Sequence, residues 1–168
     1  SVFHVIRDYA HTLKNGHSRR AQDLPRLLQA AEELENAVSS IKLVFGHNDL
    51  LPENFIDDGD KIWLVDWEYG GFNSPLFDLG GVASNCELGS EDEEQLLESY
   101  YQTRVSDELR NRYLAMKCAS LLRESMWSMV SELYSQIDFD YQAYTDSNLA
   151  HFDEQFKTFQ RTSSHGKR

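Results

Sequence analysis

Phe45-Gly46-His47-Asn48-Asp49-Leu50-Leu51-Pro52-Glu53-Asn54-Phe55 is a polar loop held between two short apolar runs. Ile41 to Phe45 precedes it, and Asn54 to Ile56 follows as an extended segment. Beyond an Asp58-Gly59 turn comes Lys61-Ile62-Trp63-Leu64-Val65-Asp66-Trp67, the strongest apolar strand pattern in the chain. These runs read as strands of one small sheet. A loop that leaves one strand and returns as another brings Asp49 and Asn54 together at one end of that sheet.

Outward from the loop the pattern turns helical. On the N-terminal side Val2, Val5, Ile6, Tyr9 and Leu13 form one stripe, closed by Gly16. Asp23 can cap a second helix with Pro25 in its first turn, whose buried face is Leu24, Leu27, Leu28, Ala31, Leu34 and Val38. On the C-terminal side a helix follows Pro75. Ser90 with Glu93 has the spacing of a capping box for another, ending near Thr103. A long helix is predicted from Ser106 or Asp107 to about Gln136, with Leu109, Tyr113, Met116, Ala119, Leu122, Met126, Met129 and Leu133 in register, and a last one from about Tyr141. Gly70-Gly71 and Gly80-Gly81 read as flexible joints, since neither matches a phosphate-cradling loop. The expected fold is mostly α with a small β-hairpin insertion (α+β): one lobe over residues 1–160, then a disordered tail over 161–168.

Composition narrows the function. One unit is expected from 168 residues, and a 40% hydrophobic fraction supplies a core without disulfides. Sixteen Lys and Arg against 28 Asp and Glu give a net charge of −12. Nucleic acid and anionic membrane surfaces need a positive footprint, so neither is expected as a partner, whereas a cationic ligand suits the field. Cys86 and Cys118 stand apart with no ligand spacing, which fits a reducing, cytoplasmic location. Neither a leader nor a membrane span is expected: the most apolar stretch, Tyr113 to Val130, is broken by Lys117, Arg123 and Glu124. The chain opens on Ser1, as a processed chain or a piece of a longer one would.

The loop also carries chemistry. Phosphoryl transfer to an alcohol uses a carboxylate to accept the hydroxyl proton and, five residues on, an amide oxygen for Mg²⁺. His47, Asp49 and Asn54 have that spacing, with Asn48 where the protein-kinase pattern has Arg. The loop alone is equally a set of turn-forming residues. Asp66 decides between the two, because it ends an apolar strand twelve residues after Asn54, where a second Mg²⁺-binding carboxylate belongs. Elsewhere simpler readings hold. His4 and His11 lack a third metal ligand, and Glu91 to Glu94 complements a helix dipole. Periodicity alone puts Trp127 and Tyr144 in the core.

His47-Asn48-Asp49 through Asn54, then Val65-Asp66-Trp67-Glu68-Tyr69 and Phe77-Asp78-Leu79-Gly80, resemble the choline/ethanolamine kinase family within the aminoglycoside-phosphotransferase-like kinases. Trp127-Ser128-Met129-Val130, Ile137-Asp138-Phe139-Asp140-Tyr141 with Tyr144, and Phe152-Asp153 extend the likeness over about residues 41–160. The resemblance implies the C-terminal lobe of a protein-kinase-like phosphotransferase that moves the γ-phosphoryl of ATP to choline or a related amino alcohol. It implies Asp49 as catalytic base in a catalytic loop (45–55), with His47 and Asp78 bracing that loop. By the same resemblance Asn54 and Asp66 would hold Mg²⁺, the latter at a metal-binding strand end (62–68). Glu68, Trp127 and Tyr144 contact the amine, the last two from pocket helices over 107–160. Ethanolamine, an aminoglycoside or another amine-bearing alcohol is the alternative acceptor, and a non-catalytic cation-binding lobe is the alternative role.

Two positions depart from the family pattern. Many members have Trp where this chain has Glu124, which is either a counter-charge or a solvent-facing residue. An acidic residue of the family is Asn85 here, with Glu87 two residues on. The larger departure is that no glycine-rich loop or paired strand lysine precedes the catalytic loop; the only glycine before Gly46 is Gly16. The expectation is a C-terminal lobe whose N-terminal lobe is missing. Alone it should be inactive and prone to self-association through the face that lobe would cover.

Overall fold

Helix α5, Asp107–Tyr134, is the axis around which the other helices assemble in the computed structural model, which describes residues 1–40 and 42–165. Ser106 caps it, its Oγ accepting the Leu109 N–H at 3.1 Å. Tyr113, Met116, Ala119, Leu122, Met126 and Met129 recur at three- and four-residue steps and are all buried. Helices α1 (Val2–Asn15), α2 (Leu24–Val38), α3 (Pro75–Asn85) and α6 (Tyr141–His165) pack on it, while α4 (Ser90–Tyr101) lies against α3. Phe3, Ile6 and Leu13 of α1, Leu27 and Leu34 of α2, and Phe152 and Phe159 of α6 complete one core. Leu28 of α2 falls outside it, exposed at the edge of the stripe. Among the described residues no helix is long and apolar enough to cross a membrane.

Four short strands lie between α2 and α3, and they form two separate ladders instead of the single sheet expected. β1 (Val44–Gly46) pairs antiparallel with β4 (Gly71–Asn73), Gly46 facing Gly71, and β2 (Phe55–Asp57) pairs with β3 (Ile62–Leu64). β4 was unforeseen because Gly70-Gly71 reads as a joint. Ile41, at the start of the predicted first strand, lies outside the described residues. The apolar run of β3 is not core either. Ile62 is 65% and Trp63 47% exposed, and Phe45, Trp67 and Phe72 form an exposed aromatic cluster beside it.

Three local predictions fail for physical reasons. The capping box at Ser90 does not form, because Gly89 takes the cap position; Glu93 instead accepts Lys117 Nζ at 2.6 Å and the Tyr113 hydroxyl at 2.7 Å. Asp23 sits at the start of α2 without capping it, its carboxylate drawn to Arg20. Residues 161–165, expected as disordered tail, continue α6 to His165, helped by a Ser163 hydroxyl that donates to Asn111. Residues 166–168 lie outside the described residues.

Gly80-Gly81 is likewise no joint, since both lie inside α3, where Gly80 meets α5 so closely that a Cβ would sit 2.9 Å from the Lys117 Cα. The contact is with backbone, which cannot swing aside. Gly80→Ala should therefore destabilise the protein by about 1–2 kcal/mol, overpacking outweighing the gain in helix propensity. Thermal unfolding would fall by about 2–8 °C. An unchanged or raised Tm would mean the two helices separate freely.

Candidate active site

Asp78, one turn into α3, holds the loop after β1 in place. Its Oδ2 accepts the His47 backbone N–H and its Oδ1 the Asn48 backbone N–H, both at 2.7 Å. The helix start that presents it is fixed by Ser74, whose Oγ accepts the Leu76 N–H at 3.2 Å. Gly46 makes room, because a Cβ there would stand 2.6 Å from Asp78 Oδ2. His47 is 1% exposed, and its Nε2 donates to the Val65 carbonyl at 2.8 Å, tying the loop to the segment after β3. Its ring rests on Trp67 at 4.8 Å.

Asn48 turns the chain in a left-handed conformation (φ 66°) that asparagine tolerates. Its Nδ2 donates to the carbonyls of Tyr69 (3.0 Å) and Gly71 (3.1 Å), and its Oδ1 accepts Asn73 Nδ2 at 3.0 Å. Asn48 thus knits the loop to β4. Asn73 and β4 carry no sequence signal of this role; only the pairing of Gly46 with Gly71 exposes it.

Asn54 and Asp66 come together through backbone pairing. The Asn54 carbonyl accepts the Val65 N–H at 3.0 Å, one step beyond the β2–β3 ladder, so Asp66 follows directly on Asn54's cross-strand neighbour. Asn54 is buried and its Nδ2 donates to the Asp49 carbonyl at 2.9 Å, which fixes the amide and leaves Oδ1 as its remaining side-chain acceptor. Asp66 is exposed and left-handed (φ 62°), an unusual backbone for a non-glycine residue and one that concentrates at functional sites. One carboxylate and one amide oxygen fit Mg²⁺, a hard cation held by one or two protein oxygens plus phosphates. A protein-only cage is not needed, and among the described residues no cluster of three or more His, Cys, Asp or Glu offers one.

Asp49 also lines a cavity of about 760 Å³, within the range of small-molecule sites. It brings together Asp49 and Asp78 with Trp127 of α5 and Tyr144 of α6. It also takes in Tyr9, Glu124, Phe139 and Tyr141, which periodicity leaves unmarked or in the core. Phe139 packs edge-on against Tyr141 (4.9 Å) and Tyr144 (5.6 Å), and Trp127 edge-on against Tyr141 (6.1 Å). Trp127 is 38% exposed, so it is not a core residue. Tyr144 donates to Glu124 Oε1 at 3.0 Å. Burial, then the charge of Glu124 and more weakly that of Asp49, push the Tyr144 phenol above its ordinary pKa. Asn85 also lines the cavity, with its Nδ2 on the Leu50 carbonyl at 2.7 Å.

The sequence-predicted residues therefore divide. Asp49, Trp127 and Tyr144 line one cavity; Asn54 and Asp66 are brought near each other by the Asn54–Val65 backbone bond and do not line it; Asp78 and His47 brace the loop. His47, grouped by likeness with the catalytic residues, is buried and does not line the cavity. Glu68 lies exposed in the turn Trp67–Tyr69 and does not line the cavity, where its neighbour Tyr69 does.

A family model described as choline/ethanolamine kinase matches residues 1–95, from α1 through the loop after β1, Asp66 and Asp78 into α4. Protein LicA of Haemophilus influenzae is 35% identical over 102 residues, taking in 60% of this chain and 30% of that protein. Human ethanolamine kinase 2 is 26% identical over 189 aligned positions, covering 97% of this chain and 48% of its own length. Among solved structures, a choline/ethanolamine kinase family protein from Mesorhizobium loti superposes with a TM-score of 0.87 at 26% identity, over 96% of this chain and 57% of that one. The chain thus spans about a third to a half of the length of these curated relatives.

Proposed function

The chain belongs to the choline/ethanolamine kinase family, and from that premise we propose that it is the C-terminal lobe of a two-lobed kinase that phosphorylates the hydroxyl of an amino alcohol such as choline or ethanolamine. The observation that carries this reading is the single cavity that holds both Asp49 and the aromatic corner of Trp127, Phe139, Tyr141 and Tyr144. Aromatic faces attract an ammonium group, each contact contributing about 0.5–2 kcal/mol. Glu124 adds negative charge. An amino alcohol seated there presents its hydroxyl to Asp49.

Asp49 accepts the hydroxyl proton as the alcohol oxygen bonds to the γ-phosphorus of ATP; the bond from that phosphorus to the β–γ bridging oxygen breaks and ADP leaves. Asn54 and Asp66 would hold Mg²⁺, which when bound offsets the negative charge of the phosphates. Asp78 and His47 keep Asp49 and Asn54 in register throughout. The exposed aromatic cluster of Phe45, Trp67 and Phe72 is suited to cover by the lobe that completes the nucleotide clamp.

The test compares two proteins. The 168-residue chain with ATP, Mg²⁺ and amino alcohols should give no turnover, and should self-associate in sedimentation. The same chain joined to an N-terminal kinase lobe should form one ADP per phosphorylated alcohol. Robust turnover by the chain alone would sink the single-lobe reading. A joined protein that binds amines but phosphorylates none would make this a cation-binding lobe; one that accepts only aminoglycosides would change the acceptor class.

A further inference from the structure

We infer that Glu124 sets the amine preference of the cavity, favouring an ammonium group that carries N–H over a quaternary one. The inference rests on the amino-alcohol reading above and concerns which amine is chosen. Glu124 is on α5, one turn before Trp127, and its carboxylate lines the same cavity as Asp49. Oε1 accepts the Tyr144 hydroxyl at 3.0 Å, which points the carboxylate into the aromatic corner. Among the described residues Oε2 has only Arg123, an ion pair at 3.4 Å that is long for a hydrogen bond, and the Arg123 guanidinium also leans over the Phe77 ring at 5.6 Å.

An ionised carboxylate has about four acceptor positions, so Glu124 retains capacity after these two partners. A primary ammonium brings three N–H donors to that capacity. A trimethylammonium brings none and holds its charge behind methyl groups. The aromatic faces serve both kinds of cation, each contact changing affinity by about 2- to 30-fold. A hydrogen bond to a charged acceptor changes it by about 10- to 100-fold and is open only to the N–H-bearing amine. Glu124 is 31% exposed at its side chain, and water competes for it, which places the expected effect at the lower end of that range.

The experiment is calorimetric titration of the 168-residue chain with ethanolamine, N-methylethanolamine, N,N-dimethylethanolamine and choline, which carry three, two, one and no N–H. Affinity should fall along the series, by about 10-fold or more from first to last. Glu124→Gln keeps an acceptor for Tyr144 and removes the charge; it should weaken both choline and ethanolamine, ethanolamine by more because it also loses its hydrogen bond to the charged acceptor, and so flatten the series. Choline bound as tightly as ethanolamine by the wild-type chain would overturn the inference and leave the amine site standing. So would an unchanged ratio in a folded Glu124→Gln. A folded wild-type chain that binds no member of the series would overturn the amine reading itself. The wild-type series decides the matter even if the variant does not fold.

Discussion

In the two-lobed kinase, Asp49→Asn should lower kcat by about 10²- to 10⁴-fold, the usual contribution of a positioned general base. The fold should survive the change. Asp49's structural bonds run through its backbone carbonyl, which accepts the Leu51 N–H at 3.1 Å and Asn54 Nδ2 at 2.9 Å, and an asparagine keeps both. Amine affinity should also persist, because the aromatic corner and Glu124 are on α5, α6 and the segment between them. A second readout is spectroscopic. With the Asp49 charge gone, Tyr144 should ionise at slightly lower pH, burial and Glu124 still holding it above the ordinary value. Near-normal kcat in a folded Asp49→Asn would remove this residue from the mechanism.

The helices were legible because their signals are local and periodic. The α5 stripe from Tyr113 to Met129 needs no knowledge of its partners, and the Ser106 cap and Gly89-Ser90 boundary differ only by which small residue takes the helix start. The β region was legible in part. Apolar strand composition identified β3 but not that its side chains are exposed, since composition records what a strand can pack against and not whether this chain supplies it. β4 was hidden because Gly71-Phe72-Asn73 has one apolar side chain and is specified by its partner, Val44 to Gly46.

The site shows the same division. Asp49, Asn54 and Asp66 are proposed from spacing along the chain, because one loop and one hairpin set their geometry. The cavity residues Tyr9, Glu124 and Asn85 are brought in by packing of distant helices, which no spacing encodes. Trp127 looked like core by period, yet it lies one position beyond the buried Met126 and so at the stripe's edge, where a side chain can face a cavity. Glu68 was placed in the pocket by likeness alone, and the turn at Trp67–Tyr69 carries it outward.

Asp78→Asn should be nearly as damaging to turnover as loss of the base, by a different route. The carboxylate gives one oxygen to each of two successive N–H groups, at 2.7 Å each. An asparagine offers one oxygen and one NH₂, so a backbone donor must face another donor. The remaining bond also loses its charge assistance. Leaving one such amide unsatisfied costs about 1–3 kcal/mol, and the charge lost from the other bond brings the total to about 2–4 kcal/mol, or roughly 4–16 °C in Tm. Asn48, one of the two amides released, is the residue before Asp49. A shift of about 1 Å in a reacting group lowers rate by about 10²-fold, so kcat should fall by that order. The amine corner does not hang on this clamp, being built on α5, α6 and their connection. Calorimetric affinity for the amine should therefore be retained while kcat and Tm both fall. If affinity were lost along with turnover, Asp78 would be supporting the whole lobe and not the loop; if neither kcat nor Tm moved, the clamp would carry no part of the alignment of Asp49.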